Sequence, residues 1–191
     1  MKTLDIQAKV RPETGKKAIK ALRREGRIPC NLYGGGENVS FSVDAKEIKS
    51  VVYTPNSYIV EFVFEDGKKE KAVMREIQFH PVEDQILHID FYRVTPGKPV
   101  AIDIPVELVG TSEGVKQGGK LMLSKRSIRI SATEENLPDT IQVDITNLNL
   151  GSSIFVGDLD SSKYTILTPA TTAICAVRMT RAARGAAAKT E

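Results

Sequence analysis

The chain has 191 residues, 41% hydrophobic and 27% charged, a globular composition that excludes a disordered or collagen-like polymer. No stretch approaches the ~20 apolar residues that span a bilayer, and the first ten residues lack the apolar core of a signal peptide, so a cytoplasmic protein is expected. The net charge of +3 is unevenly held: residues 1–30 carry nine Lys and Arg against three acids, a local +6, whereas residues 31–95 carry −4 and residues 96–180 carry −1.

Leu4, Ile6, Ala8 and Val10 alternate with Asp5, Gln7 and Lys9, which predicts a half-buried strand over residues 3–10. The run Arg11-Pro12-Glu13-Thr14-Gly15 breaks it. Residues 16–25 read as a helix with Ala18, Ile19 and Leu22 on one face and Gly26 as its stop. The other side carries Lys16, Lys17, Lys20, Arg23 and Arg24. A helix that just reaches Arg27 places Lys16, Lys20, Arg23 and Arg27 in nearly one stripe. Residues 28–33 form a short apolar strand ended by Gly34-Gly35-Gly36, and residues 39–43 form the next. Asp44 and Glu47 have capping-box spacing and open a helix that buries Ile48, Val51 and Val52. Residues 58–65 alternate again, Asp66-Gly67 marks a hairpin turn, residues 71–79 return, and residues 80–84 are a loop. A strand over 86–93 sets Leu87, Ile89 and Phe91 on one face. His88, Asp90 and Tyr92 fall on the other, with His88 and Asp90 about 6–7 Å apart along the strand.

Thr95-Pro96-Gly97-Lys98-Pro99 is the expected linker, dividing a first domain, residues 1–95, from a second, residues 98–180. In the second, Pro105 argues that a strand over 100–109 lies at a sheet edge. Residues 111–120, with three glycines, read as a loop. Short strands are expected near 127–132, 140–145, 153–156, 164–167 and 172–179. Residues 181–191 have no apolar face and read as a basic, disordered tail. The fold class is mainly β with a few helices.

Cys30 and Cys175 stand 145 residues apart in apolar contexts and read as buried thiols. His80 and His88 have no nearby Cys or third His, so neither a metal nor another cofactor is expected. Gly34-Gly35-Gly36 lacks the Lys-Ser/Thr of a P-loop, Gly15-Lys16 lacks its earlier glycine, and no nucleophile motif is evident. The expectation is a non-enzyme with no small-molecule substrate and no membrane partner. The basic first segment suits a polyanion, although a solvated basic helix face has the same pattern. Its cations suit phosphate contact, and Arg can also fork onto base edges. Tyr33 suits either nucleotide stacking or the edge of the core. Asp90 suits reading guanine's exocyclic amine in the shallow minor groove of A-form RNA, with His88 donating or accepting beside it; a plain surface pair is the other reading.

The motifs Arg11-x-x-x-Gly15-Lys16, Leu22-Arg23-x-x-Gly26-x-Ile28-Pro29-x-x-x-Tyr33-Gly34, Gln78-x-His80-Pro81 and Leu87-His88-Ile89-Asp90-Phe91 occur in that order. Together they resemble the bacterial large-subunit ribosomal protein family that binds 5S ribosomal RNA, number twenty-five of that subunit. Gly118-Gly119-Lys120-Leu121, Pro138, Val143-Asp144-Ile145 and Gly151-x-Ser153-Ile154 make the second half similar to the long, two-domain form, the general stress protein CTC family. The resemblance implies an N-terminal RNA-binding β-barrel followed by a β-rich C-terminal domain. It implies a structural role in the large ribosomal subunit, with 5S rRNA and neighbouring ribosomal proteins as partners. Carried onto matching positions, it implies RNA contacts from Arg11, Lys16, Lys20, Arg23 and Tyr33, and from Arg75, Gln78, His88 and Asp90. Arg24, Arg27, His80 and Arg93 join them from charge and position. Three residues depart from the family pattern: Ile19 replaces a small or polar residue, Cys30 an alanine, and Arg75 an amide, which directs Arg75 to phosphate. The barrel's resemblance to the anticodon-binding part of one class of tRNA synthetases keeps tRNA, or another structured RNA, as an alternative ligand.

Overall fold

The computed structural model describes residues 1–12 and 15–180; the basic tail expected over residues 181–191 lies outside the described residues. The chain falls into two compact units, Met1–Ile102 with Ala132–Asp139, and Asp103–Ser131 with the chain from Thr140 onward.

The first unit contains a closed barrel of β1 (Lys2–Val10), β2 (Arg27–Tyr33), β3 (Val39–Asp44), β4 (Tyr58–Phe64), β5 (Lys69–Phe79) and β6 (Ile86–Arg93). Their order is β1-β3-β2-β6-β5-β4, with β1 parallel to β4 and β2 parallel to β6. Period-two alternation sends Ile6, Leu32, Val43 and four phenylalanines, Phe41, Phe62, Phe64 and Phe91, inward. The Phe62 ring lies 4.7 Å from both Phe41 and Phe91, edge-on to each, the arrangement that aromatic quadrupoles favour. The interior is thus filled by side chains, as in other small barrels.

Two helices sit on this barrel. α1 (Lys16–Arg24) stops before Gly26, whose φ of 76° takes the left-handed turn that a glycine makes without strain. Arg27 therefore opens β2 and does not extend the helical stripe, which corrects the expectation from spacing. Ala18, Ile19 and Leu22 are half-buried, and no α1 side chain is fully buried. α2 (Ala45–Val52) buries Ile48 and Val51. Only half of its expected capping box forms. Asp44 Oδ1 accepts from the Lys46 N–H at 2.7 Å, but Glu47 Oε2 accepts from the Gln7 N–H at 3.2 Å instead of returning to the cap. Asp44 is also the last residue of β3, paired there with Arg27.

β5 carries a bulge. Met74 pairs with Phe91 and Glu76 with Asp90, leaving Arg75 as the extra residue. Met74 and Ile77 can then both pack on the core, while Glu76 and Gln78 turn outward.

The second unit holds β7 (Val100–Val109, beginning in the first unit), α3 (Glu113–Lys116), β8 (Lys120–Leu123), β9 (Ser127–Ala132), β10 (Ile141–Asp144), β11 (Ser153–Phe155), β12 (Thr165–Ile166) and β13 (Ala173–Arg178). They form a four-stranded sheet, β10-β7-β9-β12, and a three-stranded sheet, β11-β13-β8. Two expectations are corrected here. β7 is an interior strand, with neighbours on both sides. Pro105 is tolerated because the β10 register begins one residue later, at Val106 opposite Ile141, so the missing N–H faces no β10 partner. Residues 111–120 are also more than a loop. Leu148 O accepts from both the Ser112 hydroxyl (2.5 Å) and the Gly114 N–H (3.0 Å), which fixes α3. A Cβ on Gly114 would lie 2.7 Å from the Asn149 carbonyl carbon, so this glycine serves a close backbone approach. Leu121 of β8 then pairs with Val177 of β13, over a core of Ile145, Leu148, Cys175 and Val177.

Candidate nucleic-acid interface

On β6, Ile89 and Phe91 are fully buried, so alternation turns His88, Asp90 and Tyr92 outward. On β2, Cys30 and Leu32 are buried, and Asn31 and Tyr33 turn outward. The parallel register sets Asn31 beside Asp90 and Tyr33 beside Tyr92. The β5 bulge sets Glu76 beside Asp90 and Gln78 beside His88. On the far side of β2, Ser40 opposes Asn31, and its hydroxyl donates to Asn31 Oδ1 at 3.1 Å. A polar row, Glu76-Asp90-Asn31-Ser40, thus crosses four strands on the outer face.

His88 Nδ1 stands 3.5 Å from Asp90 Oδ1, closer than their spacing along the strand; the side chains are 18% and 26% exposed. Burial lowers the His88 pKa, outweighing the Asp90 carboxylate, which raises it; Arg11 and Arg23 lower it further. The contact at pH 7 is therefore between a neutral ring and a carboxylate. Tyr33 and Tyr92 meet edge to face, with ring centroids 5.7 Å apart. Gly34, at φ 94°, makes room for that pair, since a Cβ there would lie 2.6 Å from the Tyr92 ring.

The cations divide into two groups. Lys16, Lys17, Lys20 and Arg24 are exposed on α1 and make no hydrogen bond or ion pair among the described residues. The other arginines of the first unit are engaged within the fold. Arg23 Nε and Nη2 both donate to Leu87 O, at 3.1 and 2.8 Å, pinning α1 beside His88. Arg27 donates to the Ser42 hydroxyl and to Ser42 O. Arg93 donates to Glu70 Oε2 at 2.9 Å and to Gly34 O at 3.1 Å, and reaches Glu37 O. Arg75 donates to Ala101 O at 3.1 Å. Arg11 Nε donates to Phe41 O at 3.1 Å; its Nη1 is buried with no hydrogen-bond partner among the described residues. Burial lowers the Arg11 pKa, Cys30 acting against this and Arg23 with it. His80 Nδ1 accepts from the Val82 and Glu83 N–H groups and is held in its own turn.

Of the residues expected to touch RNA, the fold gathers Tyr33, Gln78, His88 and Asp90 on one sheet face. Arg23 is pinned to β6 at its edge, and Arg11 lies within electrostatic reach of His88. Arg27, Arg93 and His80 are committed to bonds within the protein. Sequence reasoning missed Asn31 and Glu76. The alternation of residues 30–33 could have exposed Asn31; nothing local marks the bulge that turns Glu76 out. Among the described residues no group of His, Cys, Asp or Glu is arranged to hold a metal, and no helix is long and apolar enough to cross a membrane.

Comparison with known proteins matches residues 6–91 to the Ribosomal L25p family and residues 99–181 to the C-terminal domain of ribosomal protein TL5. The large ribosomal subunit protein bL25 of Porphyromonas gingivalis is 45% identical over 190 residues, 99% of each chain. That of Bacteroides fragilis is 44% identical over 172 residues, 90% of this chain and 87% of the relative. That of Parabacteroides distasonis is 39% identical over 194 residues, 99% of this chain and the whole of the relative.

Proposed function

The chain belongs to the ribosomal L25p family, in its long form with a TL5-type C-terminal domain, and from that premise we propose that it binds 5S rRNA through the β2–β6–β5 face and α1. Its role is structural and non-catalytic, as a constituent of the large subunit of the cytoplasmic ribosome. The observation that carries the 5S reading is the pairing of two unlike surfaces. α1 presents four cations unengaged among the described residues, suited to phosphates, beside a sheet face of polar side chains suited to base and ribose edges. Phosphate contact positions the RNA, and the Asp90 row selects it. The second unit exposes Met122, Leu123, Phe155, Leu167 and Met179, side chains suited to a neighbouring ribosomal protein.

A gel-shift titration of the full chain against 5S rRNA, with tRNA as competitor over a range of salt, tests this reading. Four phosphate contacts give a slope of log affinity against log salt of about −3 to −4. Lys16→Glu with Lys20→Glu weakens binding and flattens the slope by about 1.5 to 2. Asp90→Ala weakens binding with the slope unchanged. Equal competition by tRNA assigns the surface to structured RNA in general, and no binding at all overturns the proposal.

A further inference from the structure

We propose that Asn31 and Asp90 together read the minor-groove edge of one guanine, the amide donating to N3 while the carboxylate accepts from the exocyclic amine. The inference deepens the RNA-binding reading above and rests on it. Asn31 is an amide in an otherwise apolar or aromatic strand segment, Ile28-Pro29-Cys30-Asn31-Leu32-Tyr33, and asparagine is a poor strand former. Its place needs a reason beyond strand formation. Ser40 Oγ donates to its Oδ1 at 3.1 Å, and Ser40 is itself fixed by the Arg11 N–H donating to Ser40 O at 2.9 Å. The acceptor end of the amide is therefore occupied on the β3 side. The other end, Nδ2 with its two N–H donors, makes no hydrogen bond among the described residues.

The parallel register places Asp90 directly beside it on β6, about one strand spacing, ~4.8 Å, away. Asp90 is partly exposed on the same face, and Glu76 flanks it on β5. Two adjacent carboxylates repel a polyanion unless they meet donors. In the shallow groove of an RNA helix the donor that a base offers is the guanine amine, and the acceptor next to it on the same edge is N3. A carboxylate beside an amide donor matches that edge; a carboxylate alone matches half of it. Adenine, which has N3 but no amine there, leaves Asp90 unpaired, so the pair selects guanine.

The test uses the full chain and 5S rRNA in which single guanines are replaced by inosine, lacking the amine, or by 3-deazaguanosine, lacking N3. With the wild-type chain the same guanine should respond to both replacements. Asn31→Leu should bind unmodified RNA about 5- to 20-fold more weakly, the loss of one buried hydrogen bond and its selectivity. It should also become indifferent to 3-deazaguanosine at that position while keeping an unchanged far-ultraviolet circular dichroism spectrum. The double variant with Asp90→Ala should lose less than the product of the two single losses, because both act on one base. Asn31→Leu binding within twofold of wild type overturns the inference, as does a guanine that responds to inosine but not to 3-deazaguanosine. In either case the wild type still prefers 5S rRNA to tRNA, so the underlying reading survives. Loss of that preference in the wild type removes both.

Discussion

The imidazole of His88 sits under opposing influences, and their balance has a measurable sign. Burial and the two arginines, Arg11 and Arg23, disfavour the charged ring, while Asp90 favours it; burial is the largest effect and the folded pKa lies below its ordinary value. In the unfolded chain the ring titrates near 6.5. As pH falls through that value the unfolded state takes up the proton first, so folding stability declines until the folded ring also protonates. Urea unfolding at pH 7.5 and 5.5 should show a smaller loss for His88→Gln than for the wild type, with the His88 titration contributing nothing at the higher pH. Equal losses would mean that the ring is not desolvated. Residue types were legible in the sequence to this extent: the cations and the His88–Asp90 pair stand out. Their bonding was not legible. Arg23, Arg27 and Arg93 find backbone carbonyls that only the folded chain presents, at Leu87, Ser42 and Gly34. A pattern of charges cannot separate an arginine that waits for phosphate from one already bonded to its own fold.

Alternation located the barrel strands, because each buries one face, and Asp66-Gly67 located the β4–β5 turn, where Gly67 takes φ 77°. The bulge in β5 left no such trace, since Arg75, Glu76 and Gln78 are all polar and either register reads as an exposed strand. Its importance follows from the pairing. Deleting Arg75 removes the extra residue, so Glu76 follows Met74 in strict period two: Glu76 and Gln78 still face outward opposite Asp90 and His88, Met74 and Ile77 still face the core, and what is lost is the local bend of the bulge. Replacing Arg75 by alanine keeps the count and removes one exposed hydrogen bond, to Ala101 O. Deletion should therefore keep a cooperative thermal transition followed by circular dichroism, at a lower melting temperature because the bend is lost, whereas Arg75→Ala should shift stability by less than about 1 kcal/mol. A deletion variant with no cooperative transition would show that closing the barrel requires the bend at Arg75 and not only the facing of the side chains. In the second unit α3 and β8 were hidden for a different reason. Gly114, Gly118 and Gly119 suggest a loop, yet Gly114 serves the approach of α3 to Asn149.

Closure of the barrel depends on pairs that carry no local signal. Lys2 through Ala8 lie parallel to Tyr58 through Phe64, and Cys30 through Tyr33 lie parallel to Ile89 through Tyr92. These strands are far apart in sequence, and parallel pairing needs a crossover that no turn motif announces. The distribution of charge along the chain, by contrast, is legible in the sequence, because it is a sum over residues and not a matter of their pairing. It leads to a prediction for the whole chain, on the proposal that residues 1–95 are the RNA-binding domain and residues 98–180 a separate β-rich one. Every residue of the polar row and all four unengaged α1 cations lie before Thr95. The compact barrel unit nevertheless includes residues 96–102 and 132–139, where Ala101 O accepts from Arg75 and Glu134 pairs with Lys71 at 2.5 Å. Truncation after Thr95 removes both partners and frees two cations on β5. The expected result is therefore an affinity for 5S rRNA equal to or tighter than that of the full chain, with a salt slope steeper by up to about 1.5 to 2, and a lower melting temperature. A tenfold loss of affinity in a truncated chain that still shows a cooperative melt would assign RNA contacts to the second half of the molecule.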